Sequence, residues 1–311
     1  MKFNKPPAST NDLITNLQKR GLLIPDLGKA SRYLMHIGYY RLSAYMLPFQ
    51  ARETDHQFIA NITFDDVLNL YIFDRKLRLH LLEAIERIEI SLRAQINDNF
   101  VLGYGAHGYL ERKNFKENYD HNWFIQQLSK QYANSSEVFT EHYKTKYGEP
   151  YLPPFWMAIQ LLTFKEIAIL LRNLNDVSIG NQIAHGLGVT DTILFSWSRS
   201  LSDLRNICAH HSRVWNRVFG SRPKIPKKMP KNWIGSSANP FKSMLLNGSE
   251  VVIDPHGSLY YQIVIIWHWL KRISPSSSWL ERLHRLIDDY NIDPALMGFQ
   301  EKAFEDKFWV S

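Results

Sequence analysis

The chain has one cysteine, Cys208, among 311 residues. A lone thiol rules out an internal disulfide and any zinc site built from cysteine pairs, and it suits a reducing compartment. Long apolar runs are also missing. The longest, LYYQIVIIWHWL from Leu259 to Leu270, has twelve residues, well short of the roughly 20 that cross a bilayer as a helix. The first residues, MKFNKPPASTNDL, hold no apolar stretch of the signal-peptide kind. The expectation is a cytoplasmic chain that does not enter a membrane. A GxxxxGK[ST] loop is absent, as is HExxH, and neither a nucleotide cofactor nor a metal is expected. No convincing strand alternation and no internal repeat is visible.

What the chain does have is apolar mass and positive charge. It is 45% hydrophobic and 13% aromatic, which is enough to bury a sizeable core and argues against disorder. The formal net charge is +7, a bias that points to polyanionic partners rather than to any fold. The charge is concentrated. From Arg205 to Lys231 there are eight Lys or Arg and no Asp or Glu.

Helical spacing organises most of the rest. STNDLITNLQKRGLLI reads as a short helix capped by Thr10 or Asn11, and the aromatic-rich stretch from Leu27 to Gln50 reads as a helix pair docking on the core. From Ile62 to Phe100, apolar residues recur at threes and fours with no Pro or Gly to interrupt them. Thr63 can cap this long amphipathic helix, with Asp65 and Asp66 in its first turn. Residues 113–147, 155–174 and 176–188 read as further helices, and a long one starts at Thr190 or Asp191 and runs through Arg217. Residues 217–257 form a Pro-, Gly- and Lys-rich irregular loop, followed by helices over 258–272 and 276–290. The fold class is all-α. Residues 1–60 form an N-terminal helical arm and 61–311 the main helical domain.

The segment LRNICAHHSRVWNR, Leu204 to Arg217, carries the chemistry. Taking 201–215 as a helix with 100° per residue puts Leu201, Leu204, Ile207, Cys208, Val214 and Trp215 on an apolar face, with His211 among them. Ser202, Arg205, Asn206, His210 and Arg213 fall on the polar face. Arg205 and His210 stand about 140° apart, and Asn206 lies one turn below His210. RNA is cut without metal when one group takes the 2′-hydroxyl proton, another protonates the leaving 5′-oxygen, and a third stabilises the phosphoryl charge. Histidine moves protons near cellular pH, and the guanidinium fork of arginine matches phosphate oxygens. One chain offers one such histidine. Two chains about a two-fold axis would offer two.

RNICAH, Arg205 to His210, resembles the R-(polar)-x-x-x-H signature of the HEPN ribonuclease superfamily. Three blocks in order, IGYYRLSAYMLPF (Ile37 to Phe49), FDRKLRLHLLEAIERIEISLRAQI (Phe73 to Ile96) and LRNICAHHSRVWNR, are similar to the Abi-like family, the AbiD/AbiF group of bacterial abortive-infection proteins. The resemblance implies a HEPN-like helical bundle, commonly a homodimer with the two motifs facing one cleft. It also implies metal-independent RNA cleavage to 2′,3′-cyclic phosphate ends in phage defence, in some relatives restrained by a small RNA. Arg205 and His210 fall on the catalytic pair of the motif and Asn206 on its polar position.

Other residues have weaker assignments. Glu86 is expected to brace Arg205 or His210 and Arg87 to support it, although both also fit ordinary i,i+4 surface pairs. Arg213 is expected to be structural, pairing with acids of the Phe73–Ile96 helix, or else to touch RNA. Arg217, Arg222, Lys224, Lys227, Lys228 and Lys231 are candidate phosphate contacts in a groove after the motif, with Trp233 a candidate for base stacking. Cys208 reads as core rather than nucleophile. Two rivals remain. One is a non-catalytic RNA-binding protein holding a small RNA. The other is a purely structural partner-binding bundle.

Overall fold

In a computed structural model the structure describes residues 2, 6–51, 56–228, 232–245 and 247–310. Helices α1 (Thr10–Lys19), α2 (Leu27–Ile37) and α3 (Tyr39–Met46) lead to a spine, α4 (Phe64–Tyr104). Then come α5 (His121–Asn134), α6 (Val138–Lys146), α7 (Phe155–Leu161), α8 (Phe164–Asn173), α9 (Val177–Gly186) and α10 (Asp191–Ala209). A hairpin of β1 (Phe241–Met244) and β2 (Glu250–Ile253) precedes α11 (Leu259–Ile273), α12 (Trp279–Asp289) and α13 (Lys307–Val310). The structure is mostly helical, as its periodicity implies.

The spine forms where the spacing places it. Thr63 accepts a hydrogen bond from the Asp66 N–H, and the Asp66 carboxylate accepts one from the Thr63 N–H at 2.8 Å, a reciprocal N-terminal lock. The helix then runs 41 residues, about 60 Å at 1.5 Å per residue. Leu77, Leu81, Ile85, Ile88, Leu92 and Ile96 are buried along it. Helices α3, α7, α9, α10, α11 and α12 all pack against it. Each such aliphatic side chain contributes about 1.5–3 kcal/mol over its exposed state, which explains how one helix organises so many.

The N-terminal helices join this core. Leu17, Leu34, Leu42, Tyr45 and Met46 are buried in a cluster continuous with the spine. Tyr40, in the aromatic-rich stretch expected to dock on the core, is instead 92% exposed. Helix α1 starts one residue earlier than expected from its cap, because Ser9 accepts from the Asp12 N–H. The apolar stretch 155–174 is two helices, since Thr163 and Glu166 form a second reciprocal cap that starts α8 afresh. The hairpin had no alternating signal, being only four residues a strand.

The longest apolar run finds its explanation in α11. Every residue from Leu259 to Leu270 is buried, as expected of a helix apolar on all sides inside a protein core. Among the described residues no helix is long and apolar enough to cross a membrane. Gly298, at φ +96°, passes so close to Ser258 that a side chain there would overlap the Ser258 hydroxyl.

Candidate active site

Helix α10 ends sooner than its sequence suggests, and the candidate site lies at that end. Ala209 is its last helical residue, His210 is the C-cap, and His211 takes a left-handed conformation at φ +59°. The His211 N–H donates to the Cys208 carbonyl and the Ser212 N–H to the Ile207 carbonyl, both at 3.0 Å. This pair of bonds is the Schellman closure, usually built on glycine. The break changes the face assignments made for a continuous helix. His211 is exposed rather than packed in the core, and Ser202 is buried rather than solvated. Val214 and Trp215 are buried as expected, but as part of the extended chain after the turn.

The three proposed motif residues remain together. His210 is exposed at the helix terminus, and Arg205 and Asn206 are half-buried one turn below. A guanidinium N–H of Arg205 donates to Asn206 Oδ1 at 3.1 Å. The backbone carbonyl of Asn206 accepts the His210 N–H at 2.9 Å. No hydrogen bond joins Arg205 to His210 directly. An exposed imidazole and a half-buried guanidinium, the latter oriented by Asn206, are thus presented on one helix end.

What holds this end in place comes from two distant parts of the chain. Arg41 of α3 donates to the His211 carbonyl at 2.6 Å, and Arg213 donates to the Ala44 carbonyl at 2.8 Å. From the spine, Asp74 Oδ1 accepts the Val214 N–H at 3.1 Å and the Trp215 N–H at 2.7 Å. Its other oxygen accepts from the Tyr45 hydroxyl at 2.7 Å and pairs with Arg78. Asp74 is fully buried and Arg78 nearly so. Burial pushes the Asp74 carboxyl above its ordinary range, while its hydrogen bonds and Arg78 pull the other way. The segments around α3, the N-terminal half of α4 and the end of α10 therefore meet at one buried carboxylate. Arg41 and Asp74 were not singled out from the sequence, Tyr45 read only as a packed aromatic, and Arg78, expected on the polar side of the long helix, is instead buried against Asp74; an aspartate followed four residues later by arginine is the one local hint of the pair.

Several supporting assignments land elsewhere. Glu86 is exposed and makes no hydrogen bond to Arg205 or His210 within the chain. Arg87 pairs with Glu83 at 2.7 Å and reaches Ser277 at 3.2 Å, facing the C-terminal helices and not the motif. Arg213 bonds to a backbone carbonyl of α3 rather than to an acid of α4. Trp233 is buried and stacks on Trp197, with ring centroids 5.7 Å apart, so it offers no face to a base.

The basic segment also takes an unexpected course. Arg217 donates to the Arg213 carbonyl at 3.3 Å, and Arg222 is paired with Asp254 at 2.8 Å. The chain then turns back along α10. The Lys224 N–H donates to Ser196 Oγ and its carbonyl accepts from Trp197 Nε1. Lys224 therefore sits level with the first half of α10, thirteen residues or about 20 Å from His210 along the axis. Exposed Lys227 and Lys228 border a cavity of about 980 Å³ with His185, Val189 and Thr190. Lys231 lies outside the described residues.

Other reactive groups are quiet. Cys208 is buried, and burial pushes its thiol up to about 12. Among the described residues no group of three or more His, Cys, Asp or Glu is placed to hold a metal ion.

With this geometry in hand, a family model described as Abi-like protein matches residues 32–216. The match begins in α2 and ends just after the turn that carries His210. It thus spans α3, the spine and the motif, the elements that converge on Asp74. No curated protein and no solved structure matches the chain.

Proposed function

The chain belongs to the Abi-like protein family, whose name places it in abortive-infection phage defence, and on that premise we propose that it is a metal-independent endoribonuclease acting as a homodimer. The observation that carries this reading is the exposed His210 at the end of α10, one turn from an Arg205 already hydrogen-bonded to Asn206. A buried imidazole would have argued against proton transfer to a substrate.

Two protomers related by a two-fold axis would bring two His210 imidazoles and two Arg205 guanidinium groups to one RNA strand. The 2′-oxygen attacks the adjacent phosphorus while one imidazole accepts its proton. The bond from phosphorus to the 5′-oxygen breaks, and the second imidazole donates a proton to that oxygen. The products are a 2′,3′-cyclic phosphate and a free 5′-hydroxyl. Arg205 binds the non-bridging oxygens as their charge grows. Asn206 holds the guanidinium through its side-chain oxygen.

The test is incubation of total cellular RNA in EDTA with wild type, Arg205→Ala and His210→Ala. The expected outcome is new 2′,3′-cyclic ends with wild type only. Equal cutting by all three removes these residues from the reaction. The second reading is a protein that binds a small RNA without cutting it. The exposed Lys227 and Lys228, in the loop that lies beside the start of α10, favour it. It predicts salt-sensitive binding and no new ends.

A further inference from the structure

A concentration of positive charge lies outside the motif, in a cleft between α8 and α10. Four separate chain segments contribute. Lys116 comes from the loop before α5, Lys165 and Arg172 from α8, Arg199 from α10, and Arg222 and Lys224 from the segment after the motif. Two concavities of about 530 and 480 Å³ share Lys116, Arg172, Phe195 and Arg199, so they form one continuous trough. Among the described residues two carboxylates border it, Asp176 and Asp191. Asp176 is already engaged as the cap of α9, accepting from the Ser178 N–H at 2.8 Å.

The cations are held open rather than cancelled. Arg199 and Lys165 are exposed and have no ion-pair partner among the described residues. The Arg172 guanidinium lies over the Phe195 ring at 4.5 Å, a contact that orients it without neutralising it. Lys116 Nζ donates to the Arg172 carbonyl at 2.6 Å, which fixes its ammonium at the rim. Arg222 is the exception, shared with Asp254.

The trough is also connected to the motif. At 100° per residue, Arg199, Asp203, Asn206 and His210 fall within about 60° of one another around α10. All four are exposed or half-exposed. They form a polar seam from the cleft to the exposed imidazole, and Arg199 and His210 are eleven residues, about 16 Å, apart along it. That is a span of a few nucleotides.

We propose that this cleft binds the phosphodiester backbone of single-stranded RNA a few nucleotides from the bond at His210, with Arg172 and Arg199 as its principal contacts. The assignment rests on the RNA-directed reading above. It adds a site that supplies affinity at a distance from the chemistry. Affinity there comes from charge neutralisation, which ignores sequence and falls with salt.

The experiment uses the full chain carrying His210→Ala, so that bound RNA is not consumed. Fluorescence anisotropy of a labelled 20-nucleotide RNA is followed from 50 to 250 mM salt. In that background, Arg172→Glu with Arg199→Glu should weaken binding at least tenfold at 100 mM salt. Two lost phosphate contacts should also flatten the slope of log K against log salt by about 1.4. Lys165→Glu with Arg199→Glu, two exposed positions without partners, gives the same reading should Arg172 prove needed for folding. Arg285→Glu with Lys302→Glu, remote from the cleft, controls for net charge and should leave binding within twofold. Equal weakening by cleft and control pairs overturns the proposal, as does RNA binding that neither cleft pair changes or that the His210→Ala chain lacks altogether. Cutting is scored separately with His210 restored. A wild type that fails to cut, beside a His210→Ala chain that binds through the cleft, sinks the nuclease reading and leaves this one standing.

Discussion

Asp74 Oδ1 accepts the backbone N–H of Trp215 at 2.7 Å across 141 residues of sequence. This contact binds the N-terminal half of the spine to the extended chain leaving the motif. The same carboxylate takes Val214, Tyr45 and Arg78, and none of the side chains is open to water. The turn bearing His210 is therefore clamped from below by a buried charge cluster and from the side by Arg41. A side chain that must hold one position at a helix end needs such bracing, since helix termini otherwise fray.

Asp74→Ala should be severely destabilising. It strands the Arg78 charge in the core and leaves two backbone N–H groups without acceptors, a loss of about 3–5 kcal/mol. Urea unfolding should show the midpoint falling accordingly. A variant as stable as wild type would mean the cluster contributes nothing net.

Arg41→Ala should act on the turn rather than on the fold. Its guanidinium is exposed and its bond is to a carbonyl, so the melting temperature should move little. If RNA is cut as proposed, kcat should drop about tenfold or more from misplacement of His210, with KM nearly unchanged. Arg41→Lys should recover part of the loss, because an ammonium can also reach that oxygen. An equal loss in both variants would point away from a positioning role.

Cys208 should resist thiol reagents. It is 1% exposed and its thiol is pushed up to about 12 by burial, so little thiolate exists at neutral pH. Titration with an aromatic disulfide at pH 8 should give no reaction in the native protein and one equivalent in denaturant. Fast native labelling would contradict the burial.

Stability should fall in mild acid. Burial, helped by nearby Arg272 and Lys271, pushes His268 down to about 3, and burial with Arg282 pushes His80 down to about 4. The unfolded imidazoles take up protons below about 6.5, while the folded ones stay neutral. The folded state therefore has its full advantage above that value and loses it as pH falls toward 3 to 4. For the buried His268 the slope is about 1.4 kcal/mol per pH unit, or about 2 kcal/mol between pH 6.5 and 5. Denaturation midpoints across that range should fall in wild type and fall less in His268→Gln. Parallel curves would assign the acid sensitivity to other groups.

The sequence by itself determined the helical class, most helix starts and the identity of the motif residues. Those features depend on neighbours within a turn or two. Spacing at threes and fours defines a buried face, and Thr63 and Thr190 bond to N–H groups three residues away. RNICAH is equally local, a single turn of helix with its cap. Tertiary structure decided where that helix stops. Nothing in RNICAHHSRVW demands a left-handed His211, a residue with no glycine-like freedom. Arg41, Asp74 and Ala44 stabilise the turn through contacts more than a hundred residues away. The course of the basic segment and the gathering of Lys116, Arg172 and Arg199 into one trough were decided the same way. Charges meeting from separate helices leave no period in a linear sequence, because their proximity comes from packing against the spine and not from the chain between them.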